Sequence, residues 1–389
     1  MGTKKIAYIN PKILTWARND SPLLFEEISL KSGCSIEDIK SWESGESYPS
    51  ITEAKKLAKI YDIPFASLFL TNPPSKKKQL YADRRTVYKS DYDGISYELW
   101  LEIRRIITNR EIAVESLPDI ISYYKPLPAI EETDSIEEVA RSIRTYFNFS
   151  VPFKNKSAYK SNSFNYFRNL FENNGIMVAQ ITDVPVSEIK GLSIYFDEIP
   201  IIAANNKDWD RSKTFTLFHE MAHLLRRSSS ICLVDFDERN DEEEKICDKI
   251  AAETLLPKNS FLELVNYEND GNWNRRRLES IADKFGVSSV VVLRRLFELE
   301  KIDLFSYRKL YKELEIEFIS FMNKSDSDKK KNTGFPSFKT IYLSQQGALF
   351  PRLLLIAYSN GNLSYGEMCR SLNIKTDQIG KIEQAVMFK

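Results

Sequence analysis

The sequence predicts an α+β multidomain protein that is predominantly helical and carries one small β-sheet. Apolar residues recur at helical spacing through most of the 389-residue chain. Short runs that are typical of strands lie within residues 176–204. Residues 71–78 combine prolines with a run of lysines, as linkers do. These patterns separate an N-terminal helical unit from a mixed central unit and a helical C-terminal region.

Five segments are expected along the chain. They are a helical domain at 1–72, a linker and connecting helix at 73–129, a mixed core at 130–270, a helical extension at 271–324 and a C-terminal helical region at 325–389. Within the core, strands are predicted at 176–179, 192–196 and 200–204, the last two as a hairpin. Residues 325–332 are polar and charged, which predicts an exposed loop.

The first 72 residues are predicted to form short helices joined by turns. Gly33 ends a helix that begins at Phe25, and Ser35 is an N-cap for the next helix. Residues 48–50 lead into a third helix. The pattern is helix, turn, helix, turn, helix.

The only two histidines of the chain, His219 and His223, are four residues apart, and Glu220 follows the first. This is the pattern H-E-x-x-H. The surrounding apolar residues have helical spacing, so both imidazoles lie on one helix face, where they can converge on one Zn²⁺. Glu220 is then placed to reach a water bound to that metal.

No third histidine exists, so a third protein ligand must be a carboxylate or a cysteine. Glu244 and Asp248 share one face of the next predicted helix, and we assign Glu244 as this ligand. Asp248 is expected to accept a hydrogen bond from the other ring nitrogen of a ligand histidine. The alternative is that residues 242–244 form a solvated acidic helix N-terminus.

These motifs resemble the ImmA/IrrE family of metallopeptidases. The matching stretches are F-T-L-F-H-E-M-A-H at 215–223 and E-x-x-C-D-x-x-A-A-x-x-L-L-P at 244–257. The chain departs from the family pattern at Cys247, Asp248 and Leu256, where alanine, asparagine and methionine are usual. None of these departures removes a ligand.

The resemblance implies a zincin-like metallopeptidase core. Its Zn²⁺ ligands would be His219, His223 and Glu244, with Glu220 as general base and Mn²⁺ able to replace Zn²⁺ in vitro. It also suggests that one of the predicted strands binds an extended substrate segment by β-augmentation. Since both histidines bind metal, another group must stabilise the oxyanion: a tyrosine, an arginine or a backbone N–H. Tyr195 and Arg211 are the side-chain candidates.

Residues 42–50, W-E-S-G-E-S-Y-P-S, resemble the signature of five-helix helix-turn-helix domains of the XRE, or Cro/C1-like, class. A DNA-reading helix of this class would present Ser35, Ile36, Glu37 and Lys40 to the major groove. Glu37 and the neighbouring Asp38 would then face a polyanion. DNA binding and protein docking are therefore alternatives for this domain.

A second helix-turn-helix pattern lies at residues 278–296 and has basic residues inside and before it. It has two alternative interpretations. One is DNA contact, and the other is a structural helical bundle that covers the core.

The amino-acid composition limits which classes of partner the protein is expected to bind. Acidic and basic residues balance at 55 each, so any attraction to nucleic acid must be local. The four cysteines form no C-x-x-C pair, which favours a reducing compartment. With no apolar leader and no apolar run of membrane-spanning length, we expect a cytoplasmic protein without a membrane partner.

The resemblance implies an endopeptidase that cleaves a repressor of XRE class and so derepresses mobile-element or stress genes. One rival is an antitoxin-like regulator that binds or turns over a neighbouring toxin. Another is a transcription factor with a structural zinc. Glu220 argues against the last, because a structural site needs no general base.

Overall fold

The computed structural model describes residues 5–74, 95–122, 124–128, 130–131, 133–153, 162–227, 230–233, 242–267, 273–329 and 336–387. The chain forms two compact units, residues 1–105 and 106–389. Helices predominate and strands form one small sheet in the described part, so the predicted α+β class is confirmed. The finer domain boundaries stay predictions, and residues 75–94 of the expected linker lie outside the described part.

The first unit consists of short helices. They are α1 (Pro11–Asp20), α2 (Phe25–Ser32), α3 (Ile36–Ser44), α4 (Ile51–Ile60), a 3-10 helix (Phe65–Phe69) and the beginning of α5 (Tyr97–Ser116). Gly33 ends α2 with a φ of 71°, a left-handed conformation that favours glycine. The Ser35 hydroxyl caps α3 by accepting from the Asp38 N–H. Ile28, Ile39 and Leu57 then meet in one core, as the predicted helix pattern requires.

The second unit contains the end of α5 and all later elements. Its helices are α6 (Pro118–Ile121), α7 (Ile136–Tyr146), α8 (Ser163–Asn173), α9 (Asp210–Leu225), α10 (Glu242–Leu255), α11 (Lys258–Tyr267), α12 (Arg275–Phe285), α13 (Ser289–Glu298), α14 (Leu304–Lys329), α15 (Phe338–Gln346), α16 (Leu349–Ser359), α17 (Tyr365–Leu372) and α18 (Ile379–Met387). Its strands are β1 (Met177–Ile181), β2 (Ile189–Ile194), β3 (Ile201–Asn205) and β4 (Ser230–Leu233).

The four strands form one sheet in the order β1-β3-β2-β4. β2 and β3 are antiparallel, which confirms the predicted hairpin, and β1 is parallel to β3. β4 was not predicted because it is too short to show an alternating pattern. β2 and β3 each have a strand on both sides, so the expectation of substrate pairing is wrong for these two. Helices α15 and α16 pack on β1, and β4 is the other edge strand of the described sheet.

Aromatic packing fixes α9 in the centre of the second unit. Phe167 and Phe171 of α8 contact Phe218 of α9, with ring centroids 4.8 and 5.3 Å apart. On its other sides α9 packs on α10, β2 and β3. A helix covered on several sides buries nearly all its side chains, and α9 does so from Thr216 to Leu225.

The second helix-turn-helix pattern forms α12 and α13, which pack on each other. Three of its arginines pair with carboxylates of the protein: Arg275 with Glu279, Arg294 with two carboxylates, and Arg295 with the buried Glu253. Pairing with carboxylates offsets the positive charge of these guanidinium groups, which weakens their attraction to phosphates. These contacts favour the structural interpretation of residues 271–324.

The polar run at 325–332 is not the predicted loop, because α14 continues to Lys329. The run contains no glycine or proline before that residue, so nothing in it breaks a helix. Residues 330–332 lie outside the described part. No helix among the described residues, α14 included, is long and apolar enough to cross a bilayer.

Candidate metal centre

Two helices bring the candidate ligands together. His219 and His223 lie one turn apart on α9 and are both buried, while Glu244 lies in the first turn of α10. The two ring nitrogens Nε2 of the histidines are 3.2 Å apart. Glu244 Oε2 is 3.1 Å from His219 Nε2, and its Oε1 is 3.3 Å from His223 Nε2. One ligand atom from each residue lies within 4.8 Å of the others.

These separations fit a tetrahedral metal ion. Ligand atoms about 2.0–2.2 Å from one Zn²⁺ at tetrahedral angles lie about 3.3–3.6 Å from each other. The two Nε2 atoms are 3.2 Å apart, and each lies at a similar distance from one Glu244 oxygen, 3.1 Å to Oε2 for His219 and 3.3 Å to Oε1 for His223, close to that range. Two imidazoles and a carboxylate are also the ligand set of catalytic zinc sites, which leave a fourth position for water or substrate. The residues present therefore fit a Zn²⁺ ion.

Glu244 is distinguished from its acidic neighbours by this geometry. Glu242 is exposed, and Glu243 Oε1 is 3.9 Å from His223 Nδ1, beyond hydrogen-bond distance. Hydrogen bonds from His219 and His223 hold the pKa of the Glu244 carboxyl well below its usual range. Glu244 is therefore ionised, as a metal-binding carboxylate must be.

Glu220 is the most deeply buried acid of the site. It is fully excluded from solvent, and neither carboxylate oxygen has a hydrogen-bond partner among the described residues. A buried carboxylate without a partner is costly, and a chemical role for the group is one explanation of that cost. β2 covers the carboxylate: a Cβ atom built on Gly191 would lie 3.0 Å from Glu220 Oε1.

Asp248 lies one turn after Glu244 and supports His219, as the spacing predicted. Its Oδ1 is 2.9 Å from His219 Nδ1, and its Oδ2 is 2.9 Å from Arg294 NH2. Burial raises the pKa of Asp248, but the hydrogen bond to His219 and the charge of Arg294 outweigh it and lower the pKa. An ionised carboxylate only accepts, so Nδ1 of His219 carries a proton, and on metal binding Nε2 would exchange its hydrogen bond with Glu244 for a bond to the ion.

The two oxyanion candidates are engaged elsewhere. The Tyr195 hydroxyl donates to Asp197 Oδ1 at 2.9 Å. Arg211 pairs with Asp283 of α12. Neither contact includes a metal-ligand residue, so the geometry gives no support to either candidate.

The residues predicted to read DNA lie at the N-terminus of α3. Ser35, Glu37 and Lys40 are exposed and Ile36 is partly buried. Lys40 Nζ lies 5.2 Å from the centroid of the Phe25 ring. These four residues belong to the first unit, whereas the metal cluster belongs to the second.

Residues 175–297 match the model of the peptidase family M78, which is described as the IrrE N-terminal-like domain. The match covers less than half of the chain, includes α9, α10 and α13, and supports a metallopeptidase of the ImmA/IrrE type in this region. It does not extend to the N-terminal helical domain. Comparison with curated proteins and with solved structures finds no match.

Two residues of the site were missed by sequence reasoning. Gly191 lies directly before the strand predicted at 192–196 and was not singled out, and Arg294 belonged only to the basic second helix-turn-helix pattern. The glycine inside a β-rich run was a usable signal, because such a glycine marks a close approach of another group. No signal in the sequence linked Arg294 to Asp248.

Proposed function

We propose that this chain is a zinc-dependent endopeptidase of the ImmA/IrrE type. Its metal ligands are His219, His223 and Glu244, and Glu220 is its general base. The observation that carries the proposal is the convergence of three ligand atoms within 4.8 Å beside a buried acid without a partner. A purely structural zinc site closes its coordination with protein groups and has no use for such an acid.

Several residues of the chain have separate roles in the proposed hydrolysis. When bound, Zn²⁺ supplies a Lewis acid that polarises a peptide carbonyl and makes a water molecule more acidic. The Glu220 carboxylate accepts a proton from the attacking water and returns it to the leaving amine nitrogen. Asp248 fixes the tautomer of His219, and β2 excludes bulk water from Glu220.

The metal preference follows from the ligands. Two imidazole nitrogens and one carboxylate suit Zn²⁺, which favours nitrogen and oxygen ligands in tetrahedral geometry. A site of two nitrogens and one oxygen also accepts Mn²⁺, with lower affinity. Zn²⁺ is therefore the proposed cofactor, and Mn²⁺ is a substitute in vitro.

The proposed substrate is a repressor protein of XRE class, which the first unit recognises by protein docking. Four basic side chains of this unit could reach phosphates, and all but Lys12 have, among the described residues, a neighbour that competes for their charge. Arg18 Nε is 2.7 Å from Glu43 Oε1, Lys31 Nζ lies 4.4 Å from the Tyr97 ring centroid, and Lys40 Nζ lies 5.2 Å from the Phe25 ring centroid. With acidic Glu37 exposed at the start of α3, these contacts favour docking over DNA reading.

One pair of variants tests the proposal. Glu220→Gln keeps the size of the side chain but cannot carry the proton, so it should retain metal and lose about 10²–10⁴-fold in peptide cleavage. His223→Ala should lose the metal, measured as Zn²⁺ per chain in the purified protein. The assay incubates each protein with Zn²⁺ and the repressors encoded beside it, and looks for a discrete cut.

The two variants also separate the proposal from its rivals. Undiminished metal in His223→Ala would remove the ligand assignment. If Glu220→Gln supports full repressor loss in cells, catalysis is not the function. Full neutralisation of a neighbouring toxin by that variant would instead favour an antitoxin-like regulator.

A further inference from the structure

An arginine outside the two ligand helices is connected to the metal cluster through one carboxylate. Asp248 faces His219 with Oδ1 and Arg294 with Oδ2, both at 2.9 Å. Arg294 Nε lies 3.1 Å from Glu298 Oε1, one turn further along α13. The guanidinium is therefore held between two carboxylates, and one of these orients a ligand histidine.

The charge of Asp248 needs such a partner. Its side chain is only 26 % exposed, so water solvates the carboxylate incompletely. The neutral imidazole of His219 can donate one hydrogen bond but supplies no positive charge. A guanidinium supplies both a charge and a rigid planar set of donors, which fixes the direction of the carboxylate.

The position of Arg294 is fixed by the packing of α13. The next residue, Arg295, is buried and pairs with Glu253 of α10. Val292, Leu293 and Leu296 of the same helix lie in the core of the second unit. Two consecutive arginines thus join α13 to α10, the helix that carries Glu244.

We propose that Arg294 is a positioning residue of the metal centre. It holds Asp248 against His219 Nδ1, and Asp248 in turn holds the imidazole with Nε2 directed at the metal. The inference rests on the proposed function, since it assumes that His219 binds the ion. It gives α13 a role in metal binding that the helix-turn-helix pattern of its sequence does not suggest.

The test measures Zn²⁺ affinity by competition with a chromophoric chelator. Arg294→Met keeps most of the unbranched stem of the side chain and removes its charge and hydrogen bonds. Loss of a direct partner of a metal ligand costs about 10–100-fold in affinity, and since Arg294 acts through Asp248 we expect a loss near the lower end, about 10-fold. The matched control is Arg275→Met, because Arg275 is 50 % exposed, as Arg294 is 48 %, and forms the same kind of pair with Glu279 one turn away.

A neutral residue at position 248 makes the test specific. Asp248→Asn keeps an oxygen that can accept from His219 Nδ1 but has no charge that requires a guanidinium. In this background Arg294→Met should cost less than about 3-fold, since the interaction that it removes is already absent. Arg294→Lys should recover part of the affinity, because an ammonium keeps the charge without the planar fork.

The outcomes are distinguishable. If Arg294→Met binds Zn²⁺ as tightly as wild type while His223→Ala binds no metal, this inference is overturned and the proposed function stays intact. An equal loss in the wild-type and Asp248→Asn backgrounds also overturns it, because Arg294 would then act by another route. A wild-type chain that binds no Zn²⁺ overturns the proposed function itself.

Discussion

Replacing Gly191 by alanine tests the packing of β2 against α9. A Cβ atom at this position would overlap Thr216 Cγ2 and would lie 3.0 Å from both Ala203 O and Glu220 Oε1. The last two separations are tighter than ordinary van der Waals contacts of 3.4–4 Å. The methyl group therefore fits only if β2 or α9 moves.

The expected cost follows from the buried location. Thr216 and Glu220 are both buried, so the strain cannot be relieved into solvent. Inserting one methyl into a well-packed core typically destabilises a protein by about 1–3 kcal/mol, and Gly191→Ala should fall in this range. Because Glu220 Oε1 is among the displaced atoms, kcat should fall as well, by up to about 100-fold for a displacement near 1 Å.

Two further variants make the result interpretable. Thr216→Ser removes Cγ2 but keeps the hydroxyl that donates to Ser212 O, so the double variant Gly191→Ala/Thr216→Ser should regain part of the lost stability. Gly380→Ala is the control, because a Cβ there meets nothing within 4 Å and the helix α18 should be unchanged or slightly stabilised. Chemical denaturation and peptide cleavage measure the two effects. A denaturation midpoint of Gly191→Ala equal to that of wild type would refute the reasoning.

The remaining predictions concern pH and the first unit. Zn²⁺ affinity should fall as the pH drops below about 6, because protons compete for neutral imidazoles, which ordinarily titrate near pH 6.5. The pKa values of Glu244 and Asp248 are lowered, so both carboxylates stay ionised in this pH range. If Zn²⁺ affinity fell only below about pH 4, the assignment of the histidines as ligands would be contradicted. Deleting residues 1–70 should slow cleavage of an intact repressor more than cleavage of a short peptide spanning its scissile bond. Specific operator binding by the full chain at physiological salt, with a Kd of about 10⁻⁸ M, would instead make the first unit a DNA-binding domain.

The sequence by itself determined the local parts of the site. The four-residue spacing of His219 and His223 places both imidazoles on one face of any α-helix, and the apolar pattern around them requires a helix. The same logic placed Asp248 one turn after Glu244. Caps such as Ser35 and turns such as Gly33 were equally readable, because their hydrogen bonds and backbone angles are set within a few residues.

Tertiary structure alone decided which distant groups meet. Glu244 lies 25 residues from His219, and the sequence could nominate it only by elimination and resemblance, since any acid of the same helix turn had the right chemistry. The contact of Arg294 with Asp248 and that of Gly191 with Glu220 depend on how α13 and β2 pack against the ligand helices. No sequence pattern predicts such contacts. Hydrophobic periodicity shows which face of a helix or strand is buried, but it does not show which residue of another element packs against that face.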